Sequence, residues 1–316
     1  MIDILYCCDE NYSKQLQCSM FTILQNVDEP VTFHIIHKSN FTKNAISKYV
    51  TSHKQIHEIK YYEFSEKLKD FPNIQDAHVS EATYYRLFMD KYIPKDVKNL
   101  VYVDADIICY DNPLNEIRKV FDNLEQSNYT ISVKSEKKYG EYRSRLGTGS
   151  LNYFNAGVMF INNTRWNNKN IGAQLRKLLI NNTIHLEFWD QDLLNIFFDG
   201  DYLELDRKFN FKFSMEPFEK IKKIEDIAPE GMFFLHYSGK FKPWSYKGIL
   251  NKKSSYYQVV YMKLFAGSYH LQYNWKGNVV KDIFKSIINL ELFRFEKTFK
   301  LLFTALKSLF RENEKY

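Results

Sequence analysis

Short apolar segments alternate with helix-patterned segments along the first half of the chain, and this alternation restricts the fold more than any other feature. DILYCC, VTFHIIHK and HEIKYYEF read as strands rich in β-branched and aromatic residues. LQCSMFTILQNV and NAISKYVTSHK read as the helices between them. Strands separated by helices of this length form βαβ units and a mostly parallel sheet. HVSEATYYRLFMDKYIP continues as a helix that ends at Pro94, and LVYVDADIICY follows as a strand. That strand is so apolar that it belongs in the centre of the sheet. YTISVKSE and YFNAGVMFINNTRW add two strands, the second with a turn at its end. KKYGEYRSRLGTGSLN between them reads as a mobile polar segment. NIGAQLRKLLINN and DQDLLNIFFDG are helical, and GMFFLHYSGKFKPW is a late strand running into a loop. The expected class is α/β, a mostly parallel sheet flanked by helices. Residues 1–250 form one domain and residues 251–316 a helical C-terminal region.

A length of 316 residues suits one large domain, or one domain with a smaller appendage. Cys7, Cys8, Cys18 and Cys109 make a poor disulfide framework, since three lie near the start and two are adjacent. They read as buried thiols in a reducing compartment. MIDILYCCDENY lacks the basic and apolar regions of a signal peptide, and no run of 18 apolar residues could span a membrane. A cytoplasmic location is the expectation. The net charge of +6 suits an anionic surface or an anionic small molecule. No run of like charge is long enough for a nucleic-acid tail.

From residue 276 to 316 there are nine Lys or Arg and five Asp or Glu. Ile288, Leu292, Phe295, Phe299, Leu302, Leu306 and Leu309 recur there at three- and four-residue spacing, an apolar helical stripe. Two readings stand: a helix packed on the main domain, or an amphipathic element lying peripherally on an anionic membrane.

The chemistry begins at Asp104 and Asp106, which interrupt the apolar run VYVDADIICY. Residues i and i+2 of a strand share a face. A bend after Val103 would therefore turn both acids toward one site above the sheet end, where open α/β sheets bind ligands. Two neighbouring carboxylates repel, and a divalent cation removes that repulsion. Oxygen ligands suit magnesium or manganese. Acids exposed in a tight turn are the alternative. In FFLHYSGKFKPW, His236 ends an apolar strand and either completes the aspartate site or sits as a core histidine. Gly239 permits close approach of a ligand, and Lys242 is a natural phosphate partner. Together these groups fit a metal-bound diphosphate. In FWDQDLLN, Asp190, Gln191 and Asp192 either cap a helix or line a sugar pocket. Asn155, beside Ala156 and Gly157, sits where a ligand approaches the sheet or bonds only to backbone.

Taken in order, ILYCCDENY, ATYYRL, VYVDADI, FNAGVMFIN, DQDLLN and HYSGKFKPW resemble the family-eight retaining glycosyltransferases, over roughly residues 1–250. The resemblance implies a GT-A, Rossmann-like mixed sheet that binds a nucleotide sugar. It is nearest to the bacterial galactosyl- and glucosyltransferases of lipopolysaccharide and other surface glycans. On that resemblance, Asp104, Asp106 and His236 are manganese (or magnesium) ligands, with Ala105 between the acids in the donor site. Cys8, Asp9 and Asn11 contact the nucleoside, and Arg86 grips the donor sugar region. Asn155 and Asp190 hold the hexose hydroxyls, Gln191 faces the reacting carbon, and Gly239 and Lys242 contact the diphosphate. The implied reaction moves galactose or glucose from a UDP-sugar to a hydroxyl of a glycan acceptor; surface polysaccharide, lipid-linked glycan and glycosylated protein are the open acceptor classes. One departure is Lys134, near a place where related galactosyltransferases often carry an acid, with Glu136 two residues on. A metal-dependent sugar nucleotidyltransferase or UDP-sugar hydrolase, and a non-catalytic glycan-binding module, remain the other readings at this point.

Overall fold

The computed structural model describes residues 1–38, 46–66, 71, 81–136, 141–215, 230–239, 241–272 and 288. The chain opens with β1 (Ile2–Cys8), α1 (Ser13–Asn26) and β2 (Val31–His37), followed by the single turn α2 (Lys48–Thr51) and β3 (Ile56–Glu63). A 3₁₀ segment, Glu81–Lys91, leads to β4 (Asn99–Val103) and the short β5 (Ile107–Cys109). Next come α3 (Leu114–Gln126), β6 (Ile131–Glu136), α4 (Glu141–Leu146), β7 (Tyr153–Asn162), α5 (Asn163–Asn168), α6 (Ile171–Asn181) and α7 (Trp189–Phe198). Three short strands, β8 (Leu203–Glu204), β9 (Phe211–Lys212) and β10 (Phe234–His236), precede α8 (Tyr246–Ile249) and α9 (Ser254–Leu264).

Among the described residues a seven-stranded sheet runs β3-β2-β1-β4-β7-β6-β8. β3, β2, β1 and β4 are mutually parallel, whereas β7 runs antiparallel to β4 and β6. The expected α/β class with a mixed sheet is the observed one. β2 is buried along its whole length because helices cover both faces of a parallel sheet. Burial of a large apolar side chain there, such as Phe33 or Ile35, contributes about 1.5–3 kcal/mol. β3 lies at the edge and carries the polar residues His57, Glu58 and Lys60, which discourage pairing with another chain.

The expected strand LVYVDADIICY is in fact broken. β4 ends at Val103, and the chain then leaves the large sheet for a second sheet ordered β5-β10-β9. Ile107 N–H donates to Asp104 O at 3.2 Å, closing the turn between the two sheets. The aspartates thus occupy the crossover, at the C-terminal end of a parallel strand. Antiparallel pairing of β10 with β5 sets His236 opposite Ile107, next to Asp106.

Four local expectations change. The segment that includes Arg145 is not merely loop: α4 buries Tyr142 and Leu146 against Tyr153. β7 ends in the helix α5 rather than a turn, with the Asn162 side chain accepting from Arg165 N–H. NAISKYVTSHK yields one helical turn, capped by Ser47, and its first residues lie outside the described set. The helix expected before Pro94 is the tighter 3₁₀ segment from Glu81. α9 contributes Tyr257, Tyr261 and Leu264 to the same core cluster as α1. Of the C-terminal stripe only Ile288 is described, and it is exposed; Leu292, Phe295, Phe299, Leu302, Leu306 and Leu309 lie outside the described residues. Among the described residues no helix is long and apolar enough to cross a membrane. All four cysteines are free, and burial pushes the thiols of Cys8, Cys18 and Cys109 far up, so they stay protonated.

Candidate active site

Asp104, Asp106 and His236 converge, with one donor atom from each lying within 4.8 Å of the others. His236 Nε2 is 3.4 Å from Asp106 Oδ1 and 4.0 Å from Asp104 Oδ2. Backbone fixes the first acid, since Asp104 N–H donates to Gly157 O at 2.8 Å. The imidazole is set by a chain of amides. Gly157 N–H donates to Asn155 Oδ1 at 3.0 Å, so that oxygen is an acceptor. The Asn210 amide nitrogen must then face it, at 2.8 Å, which turns Asn210 Oδ1 toward His236 Nδ1, also at 2.8 Å. Nδ1 therefore carries the proton and Nε2 presents its lone pair to the aspartates, the arrangement a metal ligand needs.

Asp106 Oδ1 is buried without a hydrogen-bond partner among the described residues. An orphaned carboxylate oxygen is costly unless something else meets it. Its other oxygen accepts from Lys242 Nζ at 2.5 Å, and Lys242 also donates to Tyr237 O at 2.7 Å. Burial alone would raise the Asp106 carboxyl, but Lys242 outweighs it and holds it well below the usual carboxylate range; a His236 ring protonated at both nitrogens would add to that. Two hard oxygens, one imidazole and an unmet lone pair fit manganese or magnesium.

Behind this cluster Arg86 and Asp190 form a buried ion pair, joined by a hydrogen bond from Thr83 to Asp190. Arg86 also donates to Ala156 O at 2.6 Å, lies 3.6 Å from Asp104 and sits 4.4 Å over the Tyr102 ring. Tyr102 in turn donates to Asp104 Oδ1 at 2.6 Å. Burial raises the Asp190 carboxyl, and Arg86 offsets that only in part. The chain enters α7 through Trp189, whose φ of 50° lies in the left-handed region that bulky residues rarely adopt. Such strain costs about 1–3 kcal/mol and collects at functional sites. Gln191, one residue past Asp190, accepts from Ala156 N–H and donates to the Tyr153 hydroxyl, each at 2.9 Å.

Of the residues expected at the site, all except Asn11 and Asp192 line one cavity of about 590 Å³; Asp192 is buried behind it on Arg145, Tyr153 and Phe188 N–H. Asn11 stands beside the site, 3.5 Å from Asp9, whose carboxylate caps the 3₁₀ turn Glu10–Tyr12. Sequence reasoning missed Asn210, Tyr153, Tyr102, Thr83 and Trp189. Tyr153 opens the quoted motif YFNAG and Trp189 flanks DQD, so both were within reach; RKFNFKF around Asn210 carries no signal. Lys134 pairs in register with Asn155 and lies 3.6 Å from Glu204, whereas Glu136 lines the cavity and meets Lys212 at 3.3 Å.

The family model described as glycosyl transferase family 8 matches residues 3–248. A lipopolysaccharide 1,2-glucosyltransferase of Escherichia coli is 31% identical over 245 residues, covering 75% of this chain and 71% of the relative. A lipopolysaccharide 1,3-galactosyltransferase of Salmonella typhimurium is 29% identical over 255 residues, covering 77% and 72%. Among solved structures, the galactosyltransferase LgtC in complex with donor and acceptor sugar analogs aligns with a TM-score of 0.68. That alignment covers 84% of this chain and 96% of the other at 21% identity, a likeness of fold, the GT-A arrangement.

Proposed function

The chain belongs to glycosyl transferase family 8, and from that premise we propose that it transfers galactose or glucose from a UDP-sugar to a hydroxyl of a glycan acceptor. The acceptor is a lipopolysaccharide or other bacterial surface glycan, reached at the cytoplasmic face of the membrane. The relatives named above, which act on lipopolysaccharide, support this choice. Residues 1–250 form the catalytic domain, and the basic, aromatic C-terminal region brings it to the surface where the acceptor is made.

The observation that carries the proposal is Asp106. It is a buried carboxylate with one oxygen on Lys242 and the other unmet, beside Asp104 and His236. Asp104, Asp106 and His236 would hold manganese or magnesium, whose charge offsets the charge that develops on the departing diphosphate. Lys242 adds an ammonium at the same place, where a preorganised cation lowers the barrier to bond breaking. Asp9 and Cys8, at the end of β1, are offered to the nucleoside. Arg86, Asp190 and Asn155 form a rigid floor for the hexose. Gln191 borders the reacting carbon. Membership of the family implies that configuration is retained; since an uncharged amide is a poor nucleophile, the acceptor then attacks from the leaving-group face. The leaving phosphate helps to take the acceptor proton, and no side chain need protonate the diphosphate.

The test is a panel of UDP-sugars incubated with manganese and mixed glycan acceptors. Sugar transfer with release of UDP supports the reading. Release of pyrophosphate, or hydrolysis equally fast without acceptor, contradicts it.

A further inference from the structure

The carboxamide of Gln191 is held at both ends by groups that dictate which way it points. Ala156 N–H can only donate, so it requires the Gln191 oxygen, at 2.9 Å. At the other end, Tyr153 donates its single proton to Asp192 Oδ1 at 2.7 Å. Its hydroxyl oxygen is then left to accept from Gln191 Nε2, at 2.9 Å. Asp192 is fixed in turn by the two Arg145 nitrogens, at 2.6 and 2.8 Å, and by Phe188 N–H at 2.9 Å. Asp192 is wholly buried, and the Tyr153 ring stacks on Tyr142 with centroids 4.0 Å apart. Burial and the neighbouring Asp192 carboxylate push the Tyr153 hydroxyl far up, so it keeps its proton and its role as donor. A flipped Gln191 amide would face N–H against N–H at Ala156 and oxygen against oxygen at Tyr153.

We infer that Arg145, Asp192 and Tyr153 are positioning residues that fix the Gln191 amide in one orientation during catalysis. None of the three lines the donor cavity; they touch Gln191, Phe188 and Tyr142, which do, and of these Gln191 is the one placed at the reacting sugar. The effect on catalysis rests on the reading above, in which Gln191 borders the reacting sugar. An oriented dipole there needs no reorganisation when charge develops on the sugar. Asp192 was visible in the motif DQDLLN, but Arg145 comes from α4, a segment that the sequence presents as a polar loop.

The test is Tyr153→Phe in two backgrounds of the full chain, the natural protein and Gln191→Ala. With Gln191 present, kcat should fall about tenfold while KM for the UDP-sugar stays within about twofold, since a small misplacement at a reacting centre costs rate. With Gln191 absent, the same substitution should cost less than about twofold. Equal losses in both backgrounds, or no loss in the first, overturn the inference. A second readout needs no donor. In protein labelled with ¹⁵N-glutamine, the Gln191 side-chain amide, assigned by its disappearance in Gln191→Ala, should shift and exchange faster in Tyr153→Phe. An unchanged signal overturns the proposed hold on the amide. If the natural protein turns over no UDP-sugar, the proposed function fails, and the amide signal still decides whether Tyr153 fixes Gln191.

Discussion

Gly157 stands so close to His236 that a Cβ on it would come within 2.3 Å of the imidazole Cε1. No side chain fits there without moving the ring, and Asn155 Oδ1 closes the same space at 3.0 Å. Gly157→Ala should therefore push Nε2 away from the two aspartates while β7 and β4 remain paired. Manganese affinity, measured by electron paramagnetic resonance titration, should weaken about 10–100-fold. Unchanged affinity would mean that His236 is not a ligand.

Lys242 and a bound cation would make opposing claims on Asp106. Lys242→Met removes a positive charge that now sits 2.5 Å from the carboxylate. Without nucleotide, the variant should bind manganese more tightly than the natural protein by calorimetry. With donor present, turnover should drop about 100-fold, the loss typical of a missing charge stabiliser. Weaker metal binding or unimpaired turnover would count against the assigned role.

Much of this arrangement was legible beforehand, for a physical reason. Asp104 and Asp106 interrupt an apolar strand, and His236 ends another; each conflict between polarity and local pattern marked a residue of the candidate site. The pairing that unites them was not legible, because β5 and β10 are each only three residues long and are separated by more than a hundred residues in the chain. Asn210 was invisible for a similar reason. It orients His236 through an amide whose partners come from β7 and β10, contacts that leave no periodicity in the sequence. The helix α4 was hidden because only Tyr142 and Leu146 are buried in a segment otherwise polar.

The Arg86–Asp190 pair should matter to stability as well as to the site. Arg86 is 6% and Asp190 1% exposed. Removing one member leaves the other charge buried and uncompensated, at a cost of about 3–5 kcal/mol. Arg86→Met should lose that much in urea unfolding, and Arg86→Met with Asp190→Leu should recover part of it. Equal stability of the single variant and the natural protein would refute the pairing.

His270 gives a pH prediction. Its ring is buried, meets the Tyr257 hydroxyl at 2.6 Å and stacks 4.4 Å from Tyr261. Burial, with help from Lys14, holds its pKa well below the ordinary value. The folded protein thus keeps His270 neutral where the unfolded chain takes up a proton. Its contribution is present above about pH 6.5 and is lost as pH falls below that, by up to about 1.4 kcal/mol per pH unit. His270→Asn, which cannot be protonated, should flatten the fall in unfolding free energy between about pH 6.5 and 5. Parallel curves for the two proteins would contradict this.

The most direct measurement is a crystal structure of the full chain with manganese and uridine diphosphate, with anomalous data collected at the manganese edge. The account predicts one anomalous peak within coordination distance of Asp104, Asp106 and His236, with the diphosphate against it and Lys242 on a phosphate oxygen. A peak elsewhere, or a nucleotide bound away from these residues, would contradict it.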